Sequence, residues 1–544
     1  MLIGRMSTFL VLLTCCAALL GPLLERVSYA EDGAPVWLGH VVPDRTIHVD
    51  NGTSASSDNN SGTSDFPLRS IAAAANLAQR NRKAGLSSRI VIAAGIYREQ
   101  ITLKPDIHRG NVPIVFEASE PGKVIISGSD IWTEWQPKQG HIYVHSWPFE
   151  WGLAPYPPGW QDHVKLAPIV RRREMVFIDG KSLDQRLSFS DLSERSFFVS
   201  ESTQELFIAV PINTHMSSAR VEVAIRSGLF TATSSDNIVL RGLVFQHDAT
   251  PVQGGAVIIT NSRNILIEDC ILRWNSWTGL SFNNVQHATV RRTRLNENGG
   301  AGWTAWRVKG LLSEENETSF NNWRGQKGGF LGWGVAGVKH LQIHDATYRR
   351  HVAVKNNTRG LWLDFDNSNI LLEEVCVRGN LGDGIDIEAS QGPISIKRSQ
   401  IGYNKGSGIF STNSRYVTIE DSLFQQNGTS EIRIVGSAER EVTNWETKTR
   451  LALQAGHWTV RRSLFDGSSS GLLLETGSWP HFFESLIFYQ NTWAGSVLEK
   501  PFKVESSRLS FPEWRKLVEQ EDNTHFSKNG FDPHQVSSVS CTEP

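Results

Sequence analysis

Short runs of alternating apolar and polar residues recur through the second half of the chain at a fixed interval. Each run opens on a glycine followed by aliphatic residues, and Gly360, Gly384 and Gly408 stand 24 residues apart. Gly255 and Gly279 keep the same interval. Alternation with a period of two is the pattern of a β-strand, and regular recurrence indicates a repeat architecture. The pattern therefore predicts a solenoid in which each strand pairs with its copy one coil away.

A second β-rich run and a polar turn complete each repeat. The second runs include residues 264–268 and 369–373, and the turns contain Asn380, Asn404 and Asn427. Helical repeats would need longer stretches with a period of 3.6, and a left-handed hexapeptide helix would need a shorter repeat. Because parallel crossovers are generally right-handed, we predict an all-β fold, a right-handed parallel β-helix.

Predicted helices close the two ends of the solenoid, whose terminal coils need caps. Residues 70–85 have the pattern of an amphipathic helix with a Ser N-cap and a Gly stop, and residues 511–521 predict a short closing helix. Residues 436–456 lack the repeat and are interpreted as a loop projecting from one coil. The predicted boundaries are 1–30 for a signal peptide, 31–130 for the N-terminal cap and first coils, 131–230 for an inserted β-rich subdomain, 231–500 for the main β-helix with its active face, and 501–544 for the C-terminal cap and tail.

The N-terminal segment has the features of an export signal. Arg5 precedes an apolar run over residues 9–24, and the small residues Ser28 and Ala30 offer a cleavage site. That run is shorter than the roughly 20 residues needed to span a bilayer. A lipoprotein signal around Cys15 is the alternative. The apolar run continues past Cys15, which argues against it. We expect a secreted or periplasmic protein with no membrane span.

The charge and cysteine counts narrow the class of protein. The 54 basic and 56 acidic residues give a net charge of −2, and no basic cluster is interleaved with aromatic residues, which argues against nucleic acid as a partner. Beyond the signal only Cys270, Cys376 and Cys541 remain, an odd number, so we expect no disulfide framework. Cys270 and Cys376 stand in apolar runs and are predicted to be buried thiols. We expect a monomer.

Two acidic residues occupy equivalent positions in successive repeats. Asp364 and Glu388 align, and the apolar Leu363 and Ile387 before them should face the core. Alternation then directs the acids outward, and stacked strands about 4.8 Å apart would bring the two carboxyl groups side by side. The same reasoning directs Asp366 outward and places Asp386 beneath Trp362.

A single outward acid on a β-helix is ordinarily a solvated surface residue, but two acids in register repel each other. A substrate reaction, a bound cation or a nearby base would compensate for that repulsion, and one carboxyl pKa should be raised. A separation of about 5 to 5.5 Å between carboxyl groups is the geometry of retaining glycosidases.

The acidic pair lies within a motif shared with known proteins. Residues 321–401 contain NNWRG, GWGVAGVK, GLWLDFDN and EASQGP. This stretch resembles the bacterial right-handed parallel β-helix carbohydrate-active proteins, and residues 49–63 and 95–99 are similar to the opening coils of that group. The pattern is locally similar to glycoside hydrolase family 120, the β-xylosidase type. The resemblance implies Asp364 as nucleophile and Glu388 as general acid and base.

Other residues near the pair are candidates for binding substrate. Tryptophan rings can stack on sugars or simply pack, and nearby basic residues can bind substrate or damp the repulsion. The candidate substrate-binding residues are Trp333, Lys339, Arg359, Trp362, Asp366 and Asp386. His340, His344 and His351 lack a ligand-like constellation, so we predict no metal site and, for a hydrolase, no cofactor.

Three hypotheses for the function remain open. The first is a retaining glycoside hydrolase acting on a polysaccharide or oligosaccharide. The second is a polysaccharide lyase or uronate epimerase, in which Asp364, Asp366 and Glu388 would hold Ca²⁺ through oxygen ligands and Lys339, Arg359 or Arg378 would be the base. The third is a non-catalytic surface protein that binds carbohydrate or mediates adhesion along the solenoid face.

Overall fold

The computed structural model describes residues 33–106, 111–467, 469–518, 525–527 and 541. In this part of the chain, parallel strands stack in three columns around one continuous apolar core, as predicted for a right-handed parallel β-helix. The predicted signal peptide lies outside the described residues. Among the described helices, none is long and apolar enough to cross a membrane.

The first column contains the runs that open on glycine, and the second column contains the runs that follow them. Four long strands turn a corner and contribute to both columns: Gly255–Glu268, Thr278–Arg291, Trp303–Glu314 and Ala336–Arg349. The other strands of the first column are Ile101–Leu103, Phe230–Thr233, Arg359–Asp364, Ile385–Glu388, Ile409–Thr412, Ile432–Val435, Leu474–Thr476 and Phe502–Val504, the last joined by the antiparallel Ser507–Leu509. The other strands of the second column are Arg45–Val49, Ser88–Ile92, Ile114–Ala118, Ile238–Arg241, Ser368–Glu373, Ile394–Lys397, Arg415–Glu420, Gly456–Arg461 and Leu486–Tyr489.

The third column consists of short strands, each followed by a turn. They are Gly95–Tyr97, Val124–Ser127, Leu243–Gln246, Ile271–Arg273, Arg294–Asn296, Glu317–Ser319, Val352–Val354, Cys376–Arg378, Gln400–Gly402, Leu423–Gln425, Leu464–Asp466, Thr492–Ala494 and His525–Ser527.

Each strand pairs in register with its copy in the next coil. Leu361, for example, lies between Val338 and Ile385, and all three side chains are fully buried. Because side chains alternate across a strand, every second residue of the first column points away from the core. The register therefore stacks the outward residues of successive coils in straight rows.

The asparagines of the predicted turns form a buried ladder along the coils. Asn356 Nδ2 donates to Asn380 Oδ1, and Asn380 donates in the same way to Asn404, both at 2.9 Å. The ladder comprises Asn275, Asn298, Asn321, Asn356, Asn380, Asn404 and Asn427. A Cβ on Gly360 would lie 2.7 Å from Asn380 Nδ2 and 2.7 Å from the Gly384 carbonyl oxygen. This close approach explains why the repeats open on glycine.

A helix lies against the first coils at the place predicted from the sequence. It spans Ile71–Lys83, and the Ser70 side chain accepts a hydrogen bond from the Ala73 N–H. Ala74 and Ala78 face the core that the first strands enclose. Its apolar side thus covers the end of the solenoid that would otherwise be open.

The opposite end is closed by the helix Phe511–Leu517. Ser510 and Glu513 form a capping box at its start. Trp514 is fully buried and its ring stacks on Phe502 with centroids 5.4 Å apart. The remaining helical segments are Val36–Gly39 and Trp323–Lys327, with 3-10 turns at Pro168–Arg171, Phe189–Asp191 and Phe483–Ser485.

A separate, mainly antiparallel subdomain interrupts the coils within residues 129–224, and the buried side chains of its own core include Trp147 and Phe197. Its two sheets contain Ser129–Trp132, Val176–Ile178, Lys181–Ser182 and Val221–Ala224, and Gln136–Gln139, Ile142–Ser146, Asp184–Arg186, Ser196–Ser200 and Glu205–Ala209. The buried Arg324 of the main solenoid donates to Gln185 Oε1 at 2.7 Å and to the Glu174 carbonyl at 2.9 Å. These bonds hold the subdomain against the main coils.

The prediction for Cys376 is wrong. Cys376 forms a disulfide with Cys541, which is 165 residues further along the chain. No local pattern predicts this pairing, because Cys541 lies in the C-terminal segment, beyond the repeats. Cys270 is buried and carries a free thiol, as predicted.

Candidate active site

Two acidic side chains stand on adjacent coils of the first column. Leu363 pairs with Ile387 in the parallel register, and both side chains are fully buried. Asp364 and Glu388 follow these residues directly and therefore leave their strands on the outer side. Their strands are neighbours at the usual spacing of about 4.8 Å, which is the arrangement that the sequence predicts.

A lysine from the preceding coil compensates the charge of Asp364. Lys339 Nζ donates to Asp364 Oδ2 at 2.7 Å, and the Phe365 N–H donates to Oδ1 at 2.8 Å. The side chains of the pair are only 10% and 13% exposed. Burial lowers the pKa of Lys339, while the charges of Asp364 and Glu388 act in the opposite direction. The Lys339 ammonium group thus supplies part of the positive charge that we expect to compensate the repulsion between Asp364 and Glu388.

Trp362 lies between two cations. Lys339 Nζ is 3.0 Å from the ring centroid, and the Arg359 guanidinium carbon is 4.4 Å from it. Only 4% of Trp362 is exposed. The ring therefore packs against the two cations and orients them, and it does not offer an open face to a sugar.

Asp386 is paired with Trp362 in the register, as predicted, and lies in contact with Arg359. Arg359 Nε is 2.6 Å from Asp386 Oδ2. Burial raises the pKa of Asp386 to about 7, although Arg359 lowers it, and the charges of Asp383 and Glu388 raise it further. A carboxyl group with a raised pKa, that of Asp386, therefore lies beside the predicted pair.

A β-hairpin lies over the acidic residues. Its strands are Arg440–Thr443 and Arg450–Leu453, and we call residues 440–453 the covering hairpin. Val442 packs in an apolar cluster with Ala389, the residue after Glu388. Arg440 donates to Glu388 Oε1 at 2.5 Å. The segment predicted to project from one coil instead folds back and supplies a cation to the second acid.

Asp366 is fully buried, although the sequence predicts an outward residue that binds substrate. Its carboxylate accepts hydrogen bonds from Gln391 Nε2 at 2.9 Å and from the Trp445 N–H at 2.8 Å. His344 Nε2 lies 3.6 Å from Asp366 Oδ1. The residue does leave the coil, but the covering hairpin closes over it. Asp366 therefore anchors the hairpin and does not line an open surface.

Trp333 is the exposed one of the two candidate tryptophans. It is 45% exposed, and its edge meets Trp160 with centroids 4.6 Å apart. The carbonyl of the preceding Gly332 accepts a hydrogen bond from Arg359 at 2.6 Å. Through this bond the loop of Trp333 is held next to the acidic residues.

The histidines of this region have protein partners. His340 Nδ1 lies 2.5 Å from the Tyr348 hydroxyl, and His344 Nδ1 lies 2.6 Å from Glu446. Among the described residues no three His, Cys, Asp or Glu side chains are grouped as a metal ion would require. The three residues of the calcium hypothesis, Asp364, Asp366 and Glu388, each have a different protein partner. Arg378, the third candidate base, lies in the third column with its guanidinium over Tyr403.

Sequence reasoning missed the residues of the covering hairpin that complete the site. Arg440, Trp445 and Glu446 lie 52 to 137 residues from the partners that they contact. The repeat assigns positions only inside the coils, so it could not place a segment between them. The one available indication was that residues 436–456 interrupt the repeat.

Comparison with known proteins supports the fold. The family model described as "Right handed beta helix region" matches residues 227–447. A search of curated proteins found no match. The chain is a right-handed parallel β-helix protein.

Solved structures give the same result along most of the chain. The structure of XylC in complex with xylose has a TM-score of 0.67 at 15% identity, covering 90% of this chain and 86% of that one. A structure titled glycoside hydrolase has a TM-score of 0.51 at 11% identity, covering 91% and 97%. The A-module of the mannuronan C-5 epimerase AlgE6 from Azotobacter vinelandii has a TM-score of 0.50 at 12% identity, covering 84% and 94%. At these identities the likeness concerns the fold.

Proposed function

We propose that this protein is an exported retaining glycoside hydrolase that cleaves neutral oligosaccharides, with Asp364 as nucleophile and Glu388 as general acid and base. The observation that carries the proposal is the placement of these two carboxyl groups on adjacent strands of one outward row. The xylose bound to XylC makes a xylo-oligosaccharide the first substrate to test.

Asp364 is suited to attack. A carboxylate nucleophile must be ionised, and the Lys339 ammonium 2.7 Å away stabilises the anion. Asp364 would form a bond to the anomeric carbon while the bond from that carbon to the glycosidic oxygen breaks. Water would then attack the same carbon and release the Asp364 carboxylate with net retention.

Glu388 is suited to proton transfer. Its side chain is 22% exposed, more than that of Asp364, and its partner Arg440 comes from the covering hairpin. It would give its proton to the departing glycosidic oxygen and then take a proton from the attacking water. Arg440 donates to Glu388 Oε1 at 2.5 Å, so Oε2 would carry the transferred proton.

A uronate epimerase or lyase is the second candidate, and the buried Lys339 favours it. Burial lowers the pKa of Lys339 and so makes the neutral amine, a possible base for a sugar C–H, more accessible. The likeness of the fold to the AlgE6 A-module agrees with this alternative.

The test is a product assay on the purified mature protein. Xylo-oligosaccharides, aryl glycosides and alginate would be incubated with it while new reducing ends and the ultraviolet absorbance of unsaturated uronates are followed together. Reducing ends without the absorbance, with retained anomeric configuration by NMR, are the expected result. The absorbance, or epimerised uronate by NMR, would establish the second candidate instead, and binding without any product would identify a carbohydrate-binding protein.

Variants assign the two roles. Asp364→Asn should abolish turnover of all substrates, whereas Glu388→Gln should spare the first step on aryl glycosides, whose leaving groups need little protonation. Asp421→Asn is the matched control, because Asp421 pairs with Arg462 beside the second column. If Asp364→Asn and Asp421→Asn retain equal activity, the proposed nucleophile is wrong.

A further inference from the structure

A polar groove continues the acidic face toward the N-terminal coils. It has a volume of about 580 Å³ and lies between the outer side of the first column and the covering hairpin. Its lining residues include Asn283, Gln286, Trp306 and, from the hairpin, Trp445 and Glu446. None of the proposed catalytic steps uses these residues.

The groove and the acidic pair belong to the same row of outward positions. Trp306 pairs with Leu341 in the register, and Leu341 pairs with Asp364. Trp306 is therefore two coils from Asp364, about 10 Å at the usual strand spacing. A chain molecule held at Asp364 would reach Trp306 by running along the solenoid axis.

The Trp306 ring is oriented and accessible. Its Nε1 donates to Gln342 Oε1 at 2.6 Å, and the Arg307 guanidinium carbon lies 4.3 Å from the ring centroid. The residue remains 40% exposed. Unlike Trp362, which is enclosed between two cations, Trp306 presents part of an indole surface to the groove, and such a surface suits the apolar face of a sugar ring.

The polar groups of the groove suit hydroxyl groups more than charges. The Asn283 and Gln286 amides have no hydrogen-bond partner within the described part of the chain, and each offers both donors and acceptors. The Arg307 Nε donates to Gln342 Oε1, and Lys448 Nζ donates to the Trp445 carbonyl. Glu446 is neutralised by Lys309 at 2.7 Å. Arg307 and Lys448 keep their charges but each donates to a protein oxygen, and the groups left for a ligand to bind are the two neutral amides.

From this arrangement we infer that the groove is a binding site for the additional sugar residues of an uncharged oligosaccharide, with one ring stacked on Trp306. This inference deepens the proposed hydrolase function and rests on it for the position of the cleaved bond. The enzyme then prefers oligosaccharides that extend along the solenoid over aryl monoglycosides that reach only the acidic pair.

Calorimetric binding tests the site without requiring hydrolysis. Xylose and a panel of neutral tetrasaccharides (xylo-, cello- and manno-) would be titrated into the Glu388→Gln protein with and without Trp306→Ala. A tetrasaccharide should bind more tightly than xylose, and Trp306→Ala should weaken that binding about tenfold while leaving xylose binding unchanged. Trp306→Phe should restore most of the affinity, since it keeps a ring.

Tyr416→Ala is the matched control, because Tyr416 is an exposed aromatic residue that stacks on His457 in the second column. Asn283→Ala provides an independent variant should Trp306→Ala fail to fold. Equal tetrasaccharide affinity with and without Trp306, no binding of any neutral tetrasaccharide, or binding of uronate oligosaccharides alone would overturn the inference. Binding that depends on Trp306 in a protein that hydrolyses nothing would instead refute the proposed function and leave the groove assignment standing.

Discussion

Lys339 and Asp364 form a largely buried ion pair between adjacent coils, with Nζ 2.7 Å from Oδ2. Lys339 pairs in the register with Trp362, not with Asp364, so its side chain reaches diagonally across the ring of Trp362. Removing one partner of such a pair leaves an uncompensated charge in a poorly solvated place. The pair is therefore required for stability as well as for the proposed chemistry.

Lys339→Met is expected to lower the free energy of unfolding by about 3 kcal/mol. The double variant Lys339→Met/Asp364→Asn should recover part of that loss, because the unpaired carboxylate is then absent. Apparent melting temperatures of the four proteins would measure the coupling. Lys327→Met is the matched control, since Lys327 pairs with Asp184 at the surface and such pairs contribute about 0 to 1 kcal/mol. Equal losses for Lys339→Met and Lys327→Met would contradict the argument.

Arg440→Ala is expected to lower kcat of the proposed hydrolysis about tenfold. Arg440 lies 2.5 Å from Glu388 and fixes the direction of its carboxyl group, so its loss leaves the proton donor poorly placed. Arg450→Ala is the control on the same hairpin, because Arg450 pairs only with the exposed Glu441 among the described residues. An unchanged kcat in Arg440→Ala, or an equal loss in both variants, would show that Arg440 does not position Glu388.

The strands could be predicted from the sequence because the same contacts between coils recur in every repeat and therefore leave glycine and asparagine at regular intervals. Gly360 is fixed by the close approach of the next coil, and Asn380 by the ladder. The alternation within each strand also placed Asp364 and Glu388 correctly on the outer side. It failed for Asp366. A residue that points outward from a coil is exposed only where no other segment of the chain covers that coil. The contacts of Arg440 and the disulfide of Cys376 link distant segments, and neither produces a repeating pattern in the sequence.

The covering hairpin should loosen as the pH rises above the ordinary histidine value of 6.5. Although burial lowers it, the nearby Asp366 and Glu446 carboxylates raise the pKa of His344 above its ordinary value of 6.5. A group whose pKa is raised on folding contributes stability that is complete below the unfolded value and is lost as the pH rises through the folded value. Lys309, which also pairs with Glu446, keeps its charge in this range.

Hydrogen exchange of residues 440–453 measured from pH 6 upward would detect the loosening, with protection expected to fall as His344 loses its proton. His344→Gln should remove the pH dependence of protection beyond the intrinsic change in exchange rate. His481→Gln is the control, because His481 pairs with Glu484 at the surface. Should the wild type and His344→Gln show the same dependence, His344 does not control the docking of the hairpin.

The asparagine ladder ends on a carboxyl group. Glu431 is fully buried, and it accepts hydrogen bonds from the Asn427 N–H at 3.2 Å and from Asn427 Nδ2. Burial raises the pKa of Glu431 to about 8. Folding therefore favours its protonated form, and its contribution to stability is complete below the unfolded pKa of about 4.5 and declines as the pH rises through about 8.

Glu431→Gln is expected to raise the apparent melting temperature at pH 9 and to change it little at pH 4. A glutamine oxygen can accept from Asn427 as Asn404 accepts from Asn380, and the amide carries no charge to desolvate. Glu373→Gln is a control of opposite sign. Although burial raises it, hydrogen bonding and charge from Arg349 and Arg398 lower the pKa of Glu373, so its amide variant should lose stability above pH 4.5. A Glu431→Gln protein that melts no higher than the wild type at pH 9 would mean that Asn427 stabilises the ionised carboxylate more than burial penalises it.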